Sequence, residues 1–225
     1  MRLPFVLLLM AVSLAACTGC DDPKNDSGNE PDKPVKVDPV QSQIEVSDEE
    51  LAAIKENMGH YFDTMSDGRF AEYLDYVYQG DVFDDSLRNE TVKMMQDYYD
   101  KGFYNVTKSF DIKFASPLTP DSTRLISLII ADIEHEVYVG DEFSANPEQL
   151  EPMIRSQYGE GRYKYNEGAK RYEIEGEAKF FAITEEGSLD FKFVNDQYSQ
   201  SRYLGNLLGY DAVFSLRKWE SNLKR

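Results

Sequence analysis

The chain has 225 residues, with 24 Lys and Arg against 41 Asp and Glu, a formal charge of −17 and only two cysteines. Such acidity excludes a nucleic-acid binder, which needs a basic surface, and it disfavours adsorption to anionic lipid through charge. At 41% hydrophobic and 29% charged residues, the composition is that of a globular protein rather than a disordered one.

Both cysteines, Cys17 and Cys20, stand near the start, so the rest of the chain has no disulfide, thiol nucleophile or cysteine-ligated zinc. Arg2 followed by the apolar run Phe5 to Leu14 predicts a secretory signal over residues 1–16. The run is shorter than the roughly 20 apolar residues of a spanning helix. Leu14-Ala15-Ala16-Cys17 resembles a bacterial lipobox. That resemblance implies a lipidated Cys17, an anchor of several acyl chains and an outer-membrane location. Two alternatives stay open: a plain signal cut after Ala16, leaving a free thiol, and lipidation at Cys20. Residues 17–46 hold Pro23, Pro31, Pro34 and Pro39 among polar residues and predict a tether without a packed structure. Asp21 and Asp22 after the anchor resemble the surface-export signal of Bacteroidetes lipoproteins. A merely solvated linker has the same composition.

The domain is expected over residues 47–225, with 20 basic and 34 acidic residues. Ser47-Asp48-Glu49-Glu50 predicts a capping box, and Leu51, Ile54, Met58, Tyr61, Phe62 and Met65 recur at helical spacing up to Asp67-Gly68. A second helix is predicted with Phe70, Tyr73, Leu74 and Val77 on one side. A third runs from Asp85 or Ser86 to Lys101. The period then becomes two. Val106, Phe110, Ile112 and Phe114 are expected on one face of a strand, with Thr107, Ser109, Asp111 and Lys113 opposite. A long strand is predicted over 124–139, a short helix over 147–158, a hairpin turn at Asn166-Glu167-Gly168, a strand over 170–184 and a closing strand over 189–194. The tail from Gln200 carries Leu204, Leu207, Leu208, Phe214, Leu216 and Trp219 with moderate helical character. Helices followed by antiparallel strands predict an α+β fold with helices on one sheet face.

This order resembles the nuclear-transport-factor-2-like superfamily, the cone shared with ketosteroid isomerases and SnoaL-like proteins. Leu51 to Val77 carries the resemblance, above all Tyr61-Phe62-Asp63-Thr64-Met65-Ser66-Asp67-Gly68-Arg69-Phe70-Ala71-Glu72-Tyr73-Leu74. It implies a pocket between the helices and a concave, curved sheet. About five strands and an insert near 146–161 depart from the pattern, so a cystatin-like variant or an unrelated α+β sandwich stays open.

For chemistry, His135 alternates with Ile129, Ala131, Ile133, Val137 and Val139. Facing inward it is a candidate general base, the weak catalytic candidate of the chain. The simpler alternative is a hydrogen-bonded histidine at the strand's wet end. His60 is expected to interact with the C-terminus of the first helix. Asp132, Glu134 and Glu136 form one acidic row, and Glu173, Glu175 and Glu177 another. Such rows divide acid and base roles, hold a cation, or simply form a solvated face. Asp85 is expected to cap the third helix, beside Asp81 and Asp84. Tyr98, Tyr99, Tyr158, Tyr163, Tyr165 and Tyr172 suit either a carbohydrate- or partner-binding surface or a core. Asp63-Thr64-Met65, Asp85-Ser86-Leu87 and Asp121-Ser122-Thr123 resemble the O-glycosylation motif of Bacteroidetes exported proteins. No phosphate loop, nucleophile elbow, zinc-protease helix or dinucleotide fingerprint is present, and no cofactor or metal is expected. The function expected is therefore a non-enzymatic, lipid-anchored envelope domain that binds a small ligand or a protein partner. The alternatives are an isomerase- or hydratase-type enzyme using His135, and an accessory subunit of an envelope complex.

Overall fold

The computed structural model describes residues 45–80, 83–140, 147–158, 161–196 and 201–223. The expected signal, Cys17, Cys20 and all but the last two tether residues lie outside them.

Among the described residues twelve elements succeed one another: α1 (Asp48–Ser66), α2 (Phe70–Tyr73), α3 (Asp85–Asp100), β1 (Phe103–Ala115), β2 (Thr119–Asp121), β3 (Arg124–Val139), α4 (Pro147–Tyr158), β4 (Tyr163–Asn166), β5 (Arg171–Glu185), β6 (Lys192–Asn195), α5 (Ser201–Leu208) and α6 (Tyr210–Ser221). The fold is α+β, with one open, six-stranded antiparallel sheet. β3 and β5 are its long central strands. β1 and β2 share the outer edge of β3, while β4 and β6 share that of β5.

α1 starts where its local chemistry dictates. The Ser47 hydroxyl accepts from Glu50 N at 3.2 Å, and the Glu50 carboxylate accepts from Ser47 N at 2.7 Å. Two otherwise unpaired backbone donors are satisfied, an arrangement worth about 1 kcal/mol. Ile54, Met58 and Phe62 then bury one stripe against Ile129, Ala131, Ile133, Phe180, Phe191 and Phe193. α2 is a single turn, shorter than expected. Val77 has left the helix and forms a parallel bridge with Phe193.

β3 alternates between two cores. Leu125, Ile129, Ala131 and Ile133 face α1, whereas Ile126 and Leu128 join Phe181, Ile183, Leu204, Leu208, Val213 and Leu216 beneath α5 and α6. Helices therefore cover both faces, not one. The tail is two helices, because buried Ile126, Leu128, Phe181 and Ile183 give it an apolar surface to pack on. We call the α1 side the inner face. Farther along it, Val137, Val139, Tyr172 and Ile174 pack beneath Leu150 and Ile154 of α4.

β1 departs from simple alternation. Its register with β3 shifts between Thr107 and Ser109 and again between Ile112 and Phe114. Each bulge inserts one extra residue and switches the face of the residues after it. Phe110 and Ile112 pair with Ile133 and Ala131 and point inward. Val106 pairs with Glu136 and Phe114 with Ile130, so both lie on the outer face. The four residues expected on one face are thus split two and two, and Phe114 is 39% exposed. Gly102, at φ +79°, leads into β1. A Cβ there would stand 2.9 Å from the Gly140 backbone, so the close approach of the two strand ends requires glycine.

Candidate functional site

His135 lies on the inner face, as its alternation predicts. It pairs across the ladder with Thr107, whose Oγ1 is 3.3 Å from its Nδ1. The ring of Tyr158 from α4 lies against it, centroid to centroid 6.1 Å. Its Nε2 is buried without a hydrogen-bond partner, as is Oδ1 of Asn105 two residues from Thr107 on the same face. Burial lowers the His135 pKa to about 4, with Glu136 working weakly the other way. The imidazole is therefore neutral at pH 7. Its hydrogen-bonding neighbour is the Thr107 hydroxyl, and Asp132, Glu134, Glu136, Glu173, Glu175 and Glu177 all lie on the opposite face of the ladder. His135 is not at a wet strand end, and among the described residues no carboxylate is placed to orient it as a general base.

The two acidic rows are adjacent. Asp132 pairs with Glu177, Glu134 with Glu175 and Glu136 with Glu173, on the half of the outer face beyond α5 and α6. Cations bind most of them. Lys113 reaches Asp111 at 3.0 Å and Asp132 at 3.2 Å. Lys108 and Arg171 reach Glu136 at 3.0 and 3.2 Å, and Lys179 lies 3.9 Å from Glu177 and 2.6 Å from Glu220. Burial alone would raise the Glu136 carboxyl, but Lys108, Tyr138 and Arg171 hold it below its ordinary value. Among the described residues no group of three or more His, Cys, Asp or Glu is arranged to hold a metal ion.

The remaining candidates are structural. His60 is exposed and stacks on Tyr76, with centroids 5.6 Å apart. No basic residue lies in the last turn of α1, so the expected interaction with that terminus is absent. Asp84, not Asp85, caps α3 by accepting from Leu87 N at 2.9 Å. Asp81 lies outside the described residues. Tyr98, Tyr158, Tyr163 and Tyr165 gather around buried Tyr172, and Tyr99 packs on Phe70 and Tyr104, so these rings belong to the core. Thr64 is 2% exposed and donates to His60 O, which withholds it from any modifying enzyme. Ser86 and Ser122 are exposed.

A polar cleft that no motif announced lies at the other end of the sheet. Its volume is about 870 Å³, within the usual range of ligand sites. Five separate stretches build it: the segment from Leu74 to Gly80, Arg88 of α3, the β2–β3 turn, the end of β5 with the residues leading to β6, and the end of α5. Arg124 holds these walls together. Its guanidinium donates to the Tyr78 hydroxyl, to Asp121 and, at 3.2 Å, to Leu207 O. It thereby ties the β2–β3 hairpin to the edge segment and to α5. Gly209, at φ +82°, follows α5, and a Cβ there would stand 2.9 Å from the Asp121 carboxylate. On the far wall Arg88 of α3 binds Asp75 at 2.7 Å and Ala71 O. Ser122 takes a left-handed φ of +56° in the two-residue turn between Asp121 and Arg124, leaving Ser122 and Thr123 exposed at the cleft.

The residue that could have signalled this site is Arg124, a charged group at the very start of an otherwise apolar strand. No family model matches the chain, and no curated protein matches it in sequence. No helix of the described residues is long and apolar enough to cross a membrane.

Proposed function

We propose that the chain is a lipid-anchored protein of the bacterial outer membrane whose domain binds a small polar ligand without turning it over. The cleft clamped by Arg124 carries this reading, since it joins a ligand-sized volume to converging hydroxyl, amide and charged groups. The anchoring half rests on Leu14-Ala15-Ala16-Cys17 and the acidic tether. A nuclear-transport-factor-2-like or cystatin-like origin is the finer fold reading, supported by the order of helices and strands. An accessory subunit of an envelope complex is a separate alternative, in which the domain meets a protein partner.

The test is native mass spectrometry of the chain purified from its own envelope, set against Thr123→Trp, which fills the cleft from an exposed turn. A small-molecule adduct retained by the parent and lost from the folded variant is expected. No adduct, or one retained equally by both, contradicts the reading.

A second reading has one observation in its favour, the buried and unpartnered Nε2 of His135. It makes the inner face an isomerase-type site. Turnover that survives His135→Ala would remove it.

A further inference from the structure

We propose that the cleft selects zwitterionic ligands of the short-peptide class, recognising an ammonium and a carboxylate at separate points. This rests on the cleft being the binding surface and adds the chemistry that fills it.

The inference comes from the charges that remain uncommitted. Arg124 is occupied by Asp121, Tyr78 and Leu207 O, and Arg88 by Asp75 and Ala71 O. Among the described residues Lys192, Glu185 and Asp190 also line the cleft but form no ion pair with its walls. One cation and two carboxylates are thus left facing the same space. The ladder fixes two of the three, Lys192 against Ile183 and Glu185 against Arg124. Lys192 pairs with Ile183, so it shares a face with Glu185 two residues farther along β5. Diagonal neighbours of this kind stand about 7–8 Å apart. Asp190 stands two residues before Lys192, just outside β6, and also lines the cleft.

An extended dipeptide spans about 7 Å. Its carboxylate can meet Lys192 while its ammonium meets Glu185 and Asp190. Ser122, Thr123 and Asn206 line the cleft with groups that can bond the peptide between its ends. A neutral sugar fits less well. Tyr78 is the one aromatic residue in the described lining, and Arg124 already lies over its ring, 5.6 Å from the centroid. The volume beyond a dipeptide backbone leaves room for larger side chains.

Isothermal titration of the chain from residue 17 onward, carrying Cys17→Ser, tests this with dialanine as the probe. N-acetyl-dialanine and dialanine amide are the controls. Dialanine is expected to bind, each capped form to bind about tenfold more weakly or not at all, and Lys192→Met and Glu185→Gln each to cost about tenfold. Capped forms that bind as well as dialanine overturn the proposal without using any variant. Failure of dialanine to bind, while the parent still retains an adduct that Thr123→Trp loses, overturns the ligand class and leaves the cleft reading intact. Failure of both removes the cleft itself.

Discussion

Glu134 of β3 stands directly across the ladder from Glu175 of β5, and among the described residues neither forms an ion pair. Like charges directly opposed on a sheet destabilise it, whereas an opposite pair contributes roughly 0.2–1 kcal/mol. Glu175→Lys is therefore expected to stabilise the domain by about 0.5 kcal/mol, read as a higher urea midpoint with unchanged slope. The gain should shrink in 0.5 M salt, because the site is exposed.

Glu136 behaves in the opposite sense, although it belongs to the same row. It is 8% exposed and accepts from Tyr138 at 2.8 Å as well as pairing with Lys108 and Arg171. Glu136→Gln leaves those groups without their anion, and the expected loss is about 1–3 kcal/mol. Equilibrium unfolding of the two variants side by side checks the contrast.

Stability should also fall with acid in two separable stages. His135 has a folded pKa of about 4 against roughly 6.5 when unfolded. Between those values the unfolded chain takes up a proton that the fold excludes. Stability is then lost as pH drops from 6.5 to 4, by an amount on the order of 3 kcal/mol. Glu136, Glu173 and Asp111 have lowered pKa values, so their contributions disappear only at or below the ordinary carboxylate range. His135→Gln is expected to flatten the curve between pH 6.5 and 4.5 and leave the lower stage in place. An unchanged slope in that window would mean that His135 is protonated in the folded protein.

Arg124 is expected to tie the cleft walls to one another. Arg124→Ala removes a charged donor from Asp121, Tyr78 and Leu207 O, and the predicted loss is about 2 kcal/mol. Arg124→Lys should recover only part of it, because a single ammonium cannot reproduce the guanidinium fork. Amide exchange at Leu207 and Thr123 should quicken in both variants.

The two faces of α6 give a further contrast. Leu216 is wholly buried under the sheet, while Phe214 is 71% exposed on the same helix. Leu216→Ala is expected to cost about 2–5 kcal/mol, and Phe214→Ser to stay within about 0.5 kcal/mol. Thermal unfolding of the pair checks whether the C-terminal helices are part of the core.

Local signals carried much of the fold. Ser47 and Glu50 marked the first turn of α1 because the capping bonds join residues three apart, and the apolar run of β3 ended in a polar stretch before the helix at Pro147. Long-range causes were not visible in the same way. The bulges at Lys108 and Lys113 are single extra residues whose effect depends on β3, so period-two counting put Phe114 on the wrong face. The tail looked weakly helical because its helices are stabilised by packing on Ile126, Leu128, Phe181 and Ile183. His135 was found on the correct face by alternation, but its neighbours, the Thr107 hydroxyl and the Tyr158 ring, come from different elements. The cleft was invisible for the same reason, since Tyr78, Arg124, Lys192 and Leu207 are brought together only by the sheet.

The proposed ligand site is the cleft, not the His135 face. Backbone-amide NMR of the Cys17→Ser chain, titrated with the small-molecule fraction of the envelope, measures this most directly. The predicted result is a set of shifts at Tyr78, Thr123, Thr184, Lys192 and Asn206, with Thr107 and His135 unmoved. Shifts centred on Thr107 and His135, with the cleft amides silent, would contradict it.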